Sequence, residues 1–135
     1  MSDKWLAWKT EGVEVDKPQV DFAGKWKNEL GSEMELSVSG SKLTGTYRTG
    51  VGAPGNTEEF AISGVVNGDL IAFVVSWEKY GSASAWVGQQ TADDGGSNER
   101  IETKWQLVEN IAESAEKRSL WGSTTTGSDV FTRST

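Results

Sequence analysis

Asn28 and Ser32, Tyr47 and Thr49, and Ser82, Ser84 and Trp86 are three groups of polar and aromatic residues spaced in even steps along strand-like segments. Residues two apart on a β-strand project from the same face, so each group presents its amide, hydroxyls or indole together. The rest of those faces (Trp26, Phe73, Val75, Trp77, Trp105) is apolar, which places the polar groups inside a core. A buried polar group left unpaired costs about 1–3 kcal/mol. A chain that keeps so many of them is expected to have a ligand that satisfies them.

The composition removes most other chemistry. There is no cysteine and no histidine, which excludes disulfides, thiolate nucleophiles, Cys/His zinc sites and any Ser-His-Asp triad. A hydrolase built on two carboxylates needs a second inward acid beside Asp129, and the pattern offers none, so no enzymatic activity is expected. A formal charge of −7 argues against nucleic acid, whose phosphates require a Lys/Arg patch, and against anionic membranes. No apolar run approaches the roughly 18–20 residues of a membrane span, and Met1 to Val20 holds no apolar stretch suited to a signal peptide.

The elements that must position these residues are short strands. Residues 1–21 are polar and irregular apart from Trp5 and Trp8, and read as a loosely ordered arm; residues 22–135 suit one domain. Strands are expected at Trp26–Leu30, Met34–Val38, Leu43–Thr49, Phe60–Val66, Leu70–Trp77, Ala83–Gln90, Glu99–Val108 and Thr124–Thr132. Hairpin signals separate them: Ser39-Gly40-Ser41-Lys42, Asn67-Gly68 and Asp93-Asp94-Gly95-Gly96. A Gly/Pro/Asn-rich loop covers Gly50 to Thr57, and Glu109 to Ser119 has helix-favouring composition.

The seventh strand alternates cleanly, with Ile101, Thr103, Trp105 and Leu107 opposite Arg100, Glu102, Lys104 and Gln106. The fifth is apolar on both faces, with Leu70, Ala72 and Val74 opposite Ile71, Phe73 and Val75, and the sixth turns Ala83, Ala85 and Val87 outward. Those outer faces need cover, for which a partner subunit is the natural candidate. Eight antiparallel strands in a meander fit a closed all-β up-and-down barrel able to hold one small ligand. A two-sheet sandwich satisfies the same pattern.

Five strings in series narrow this further. Trp26-Lys27-Asn28-Glu29-Leu30-Gly31-Ser32, Leu43-Thr44-Gly45-Thr46-Tyr47, Ser82-Ala83-Ser84-Ala85-Trp86-Val87-Gly88-Gln89, Arg100-Ile101-Glu102-Thr103-Lys104-Trp105 and Gly127-Ser128-Asp129-Val130-Phe131-Thr132 resemble the avidin/streptavidin family of biotin-binding proteins, in order and with compatible spacing. The resemblance implies an eight-stranded antiparallel up-and-down β-barrel, an architecture for which streptavidin is itself a general example.

It also implies a site. Asn28, Ser32 and Tyr47 match the donors to the ureido oxygen of biotin, Asp129 the acceptor of one ureido N–H and Thr49 that of the other. Ser84 stands near the ring sulfur, and Ser82 matches a hydroxyl that reaches the ligand carboxylate. Trp77, Trp86 and Trp105 match the aromatic walls, while Trp26 is expected to be structural. Trp121 matches a tryptophan that enters the neighbouring subunit's site in tetrameric members. Two positions depart from the pattern: Ala53 stands where streptavidin-like members have an asparagine for the ligand carboxylate, in a longer loop, and Ser128 replaces an interface histidine. The expected function is thus non-catalytic, high-affinity binding of biotin as ligand, without a cofactor. A barrel for carbohydrate or a lipid-like molecule is the alternative. The resemblance further implies secretion and a homotetramer, with a homodimer second, and no nucleic-acid or membrane partner.

Overall fold

A computed structural model describes residues 19–50, 58–110 and 124–134. Eight strands follow one another: β1 (Gly24–Asn28), β2 (Glu33–Ser39), β3 (Lys42–Arg48), β4 (Phe60–Asn67), β5 (Leu70–Ser76), β6 (Ser82–Thr91), β7 (Arg100–Glu109) and β8 (Thr124–Arg133). Each pairs antiparallel with the next, and β1 pairs with β8 to close the barrel, with Asn28 opposite Phe131 and Trp26 opposite Arg133. Closure excludes the sandwich and removes every free sheet edge. Of the expected arm, residues 1–18, with Trp5 and Trp8, lie outside the described residues.

The turns explain where strands stop. β1 ends at Asn28, two residues short of the expected Leu30. The Asn28 side chain replaces ladder hydrogen bonds there: its Oδ1 accepts from the Leu30 N–H (3.0 Å) and the Ser32 N–H (2.9 Å), and Gly31 adopts φ +85°. Ser32 therefore sits in a turn rather than on a strand, and Asn28 and Ser32 meet across that turn instead of by strand parity. Thr49 similarly falls one residue beyond β3. β5 ends at Ser76, so Trp77 opens a short 3-10 turn, Glu78–Tyr80. Its backbone N–H still bonds the Ser82 carbonyl at 2.9 Å, which holds the indole at the hairpin's mouth. β7 runs on through Glu109, so the expected helix loses its first residue; residues 111–119 lie outside the described region.

The interior divides along the barrel axis. At one end lie Phe22, Trp26, Leu36, Leu43, Ile71, Ile101 and Phe131, all buried and all apolar. A clasp locks this end: the Arg133 guanidinium lies 4.0 Å over the Trp26 ring, donates to the carbonyls of Ala23 (2.7 Å) and Asp21, and pairs with Glu99 at 3.0 Å. Trp26 donates its Nε1 proton to the Phe22 carbonyl at 2.9 Å. The indole is thus hydrogen-bonded, stacked and fully enclosed, which is a structural role. Small inward residues admit the large ones opposite them. Gly64 faces Phe73 and Gly127 faces Trp105 in register, and a Cβ at either would overlap its neighbour.

Candidate functional site

At the opposite end the inward positions change character. Odd strands end there and even strands begin there, so the last inward residues of β1, β3, β5 and β7 meet the first of β2, β4, β6 and β8. The meander thereby gathers Asn28, Ser32, Tyr47, Thr49, Trp77, Ser82, Ser84, Trp86, Trp105 and Asp129 around one mouth. Asn28, Ser32, Tyr47, Ser84, Trp86 and Asp129 are buried; Thr49, Trp77, Ser82 and Trp105 are half-buried. Trp121 and Ala53 lie outside the described residues.

Asn28, Ser32 and Tyr47 form a connected donor corner. The Asn28 carbonyl oxygen is committed to its turn, which leaves the Nδ2 amine as the functional end of that amide. Ser32 Oγ accepts from the Gly50 N–H at 3.0 Å, fixing where the chain leaves β3, and shares a hydrogen bond with the Tyr47 hydroxyl. Burial pushes the Tyr47 hydroxyl up to about 12; its hydrogen bond with Ser32 opposes the shift, and the charges of Asp129 and Glu29 add to it. The phenol therefore stays protonated at any physiological pH and is available to donate.

Asp129 supplies the acceptor. It is 6% exposed, and a buried carboxylate is costly unless its oxygens are hydrogen-bonded. Trp86 Nε1–H donates to Oδ2 at 3.0 Å, while Thr103 Oγ1 donates to the Asp129 main-chain carbonyl at 2.9 Å and pins the register of β7 against β8. Among the described residues no lysine or arginine pairs with this carboxylate. One indole proton leaves acceptor capacity on Asp129 that a neutral N–H donor can take.

Aromatic rings wall the space between. Tyr47 lies 5.6 Å from Trp77, edge-on, and 5.1 Å from Trp86; Trp86 stacks on Phe73 at 4.9 Å. Trp77 Nε1 donates to Ser84 Oγ at 2.9 Å, which orients the indole and turns the serine's own proton elsewhere. Trp105 lies opposite Trp86 across the β6–β7 ladder, its ring over Gly127. Ser82, by contrast, contributes its carbonyl to the Trp77 hairpin.

Two contributors escape the sequence reading. Phe60 packs edge-on against Trp77 at 4.9 Å and pairs with Tyr47 in register; its place as the first inward residue of β4, beside a tyrosine, was the available signal. Glu29 accepts from the Val130 N–H at 3.1 Å and bears on Tyr47. As a turn glutamate it carries no such signal.

A closed antiparallel barrel, filled with apolar side chains at one end and lined by hydrogen-bonding and aromatic groups at the other, is a β-barrel of the class that can hold one small molecule. The chain belongs to the Avidin family, whose profile matches residues 16–134. Avidin of Gallus gallus is 32% identical over 121 residues, covering 83% of this chain and 77% of that protein. Avidin-related protein 3 of the same bird is 33% identical over 122 residues, with the same coverage. Among solved structures, Xenavidin matches with a TM-score of 0.73 at 29% identity, over 88% of this chain and 100% of its own. A biotin binding protein from chicken matches with a TM-score of 0.73 at 29% identity, over 85% and 97%.

Proposed function

We propose that this protein binds biotin, without catalysis, at the polar end of its barrel. The observation that carries the reading is the opposition of the donor corner (Asn28, Ser32, Tyr47) to the indole-held carboxylate of Asp129. Biotin's cyclic urea needs that arrangement, with several donors on one oxygen and acceptors for the flanking N–H groups. Thr49 takes the second N–H, Ser84 lies toward the ring sulfur and Ser82 toward the tail. Trp77, Trp86 and Trp105 enclose the bicyclic ring, Trp121 of a neighbouring subunit completes the enclosure, and no cofactor takes part. Donors already fixed by turns and ladders lose little entropy on binding, and hydrogen bonds to a charged partner contribute about 1.5–3 kcal/mol each. Titration with biotin is expected to change tryptophan emission and release heat in calorimetry. Silence in both overturns the reading, and a carbohydrate or fatty acid that binds where biotin fails replaces it.

The assembly belongs to the same proposal. Val65, Leu70, Val74 and Val87 are 48–63% exposed on the outer faces of β4, β5 and β6, an apolar area that self-association covers. The expected assembly is a homotetramer, with a homodimer second, and secretion follows from the family resemblance alone. Recovery of the natural protein from the cytosol would remove the last point.

A further inference from the structure

One buried donor at the mouth has no acceptor among the described residues. Ser84 is 5% exposed, and its oxygen accepts the Trp77 Nε1 proton at 2.9 Å. A hydroxyl that accepts still has its own proton to place. Its register partners, Val75 on β5 and Leu107 on β7, have apolar side chains and offer none. The neighbouring donors are engaged elsewhere, Trp86 Nε1 on the Asp129 carboxylate and Thr103 Oγ1 on the Asp129 carbonyl. Trp105 faces Trp86 one inward step deeper, and Ser82 lies one step nearer the rim, half-buried. A buried donor left unpaired costs free energy, so the space in front of Ser84 favours a ligand atom that accepts.

We propose that this donor makes the site a receptor for S-oxidised biotin as well as for biotin, with Ser84 donating to the sulfoxide oxygen of one of the two sulfur epimers. This rests on the biotin reading. The donor corner of Asn28, Ser32 and Tyr47 spans β1 to β3 and centres on β2, and β6 stands four strands from β2 in either direction around the closed ring. In biotin the urea oxygen and the ring sulfur occupy opposite ends of the fused rings. A urea oxygen held at the donor corner therefore turns the sulfur toward β6 and Ser84. The tail leaves from the carbon beside the sulfur, toward Ser82 nearer the rim, so the two serines serve different atoms. Divalent sulfur is a weak acceptor and uses the Ser84 proton poorly. A sulfoxide oxygen carries the negative end of the S–O dipole and accepts well. Because the Trp77 indole occupies one side of the Ser84 oxygen, the proton has a set direction, and only the epimer whose oxygen lies in that direction gains the bond.

Dissociation constants for biotin and for its two separated sulfoxide epimers test this by calorimetry. The expected result is that both biotin and the epimers bind, one epimer about threefold to tenfold more tightly than the other, the scale of one hydrogen bond between neutral groups. Ser84→Ala should bring the ratio between epimers to about one by weakening the favoured epimer. That variant also strips the Trp77 indole of its acceptor, an effect common to all three ligands that cancels in the ratio. Ser84→Thr keeps the hydroxyl and should keep the preference, whereas Ser82→Ala should weaken all three ligands together. Biotin binding with neither epimer bound overturns the proposal, as do equal affinities for the epimers, a ratio unmoved by Ser84→Ala, or a ratio lost in Ser82→Ala. If biotin and both epimers fail to bind, the biotin reading itself fails, and the sulfoxide preference with it.

Discussion

Asp129 carries the sharpest prediction at the scale of single residues. Replacing it with alanine removes the acceptor and leaves the Trp86 indole proton without its partner. Biotin binding is expected to weaken by at least ~1.5–3 kcal/mol in calorimetry, and an unchanged affinity would take Asp129 out of the site. Tyr47 makes a different claim. Its hydroxyl is raised to about 12 by burial, so the native state keeps its proton where an unfolded tyrosine, near 10, loses it. Such a group contributes nothing to the pH dependence below about 10. As pH rises from there through 12, the unfolded state gains the ionised form first and stability falls, by an amount on the order of 2–3 kcal/mol. Denaturation midpoints across that window, with Tyr47→Phe as control, should show the loss in the parent and its reduction in the variant.

The elements account for how these side chains reach one another. Gly127 faces Trp105 so closely that any Cβ would overlap the indole. Gly127→Ala should therefore displace the Trp105 wall, destabilising the barrel by about 1–3 kcal/mol, as overpacked cores do, and weakening ligand binding. A normal thermal midpoint with normal binding would show that the ring has room to yield. Much of this was legible in advance. Period-two alternation in β7, hairpin dipeptides and the even spacing of strands place all eight elements within a few residues. The errors fall where a side chain competes with the ladder, as Asn28 does when its carbonyl oxygen closes the turn and ends β1 early. Strand parity sees only the backbone period, so it grouped Asn28 with Ser32 for the wrong reason. The hydrogen bond that the Tyr80 hydroxyl donates to Glu58 at 2.8 Å was hidden for another: twenty-two residues separate the partners, and neither type signals a long-range bond.

At the scale of the whole molecule, the outer faces of β4, β5 and β6 set the expectation. Light scattering should return a mass that is a multiple of the 14.6 kDa chain, and a monomer at all concentrations would contradict it. Binding to the native state alone should also raise the unfolding midpoint with biotin concentration, since ligand at a hundred times its dissociation constant adds about 2.7 kcal/mol. A midpoint indifferent to excess biotin counts against the proposed function.

The Arg133 clasp has a practical consequence for how the molecule can be attached to other things. It draws together the Asp21–Ala23 segment and the end of β8, so the chain enters and leaves the barrel side by side, and the Ser134 N–H bonds the Lys25 carbonyl at 2.9 Å. That shared doorway is at the apolar end, a barrel's length from the mouth. A surface, a fluorescent protein or a second domain joined beyond Ser134 starts from the far side of the barrel and leaves the ligand's approach clear.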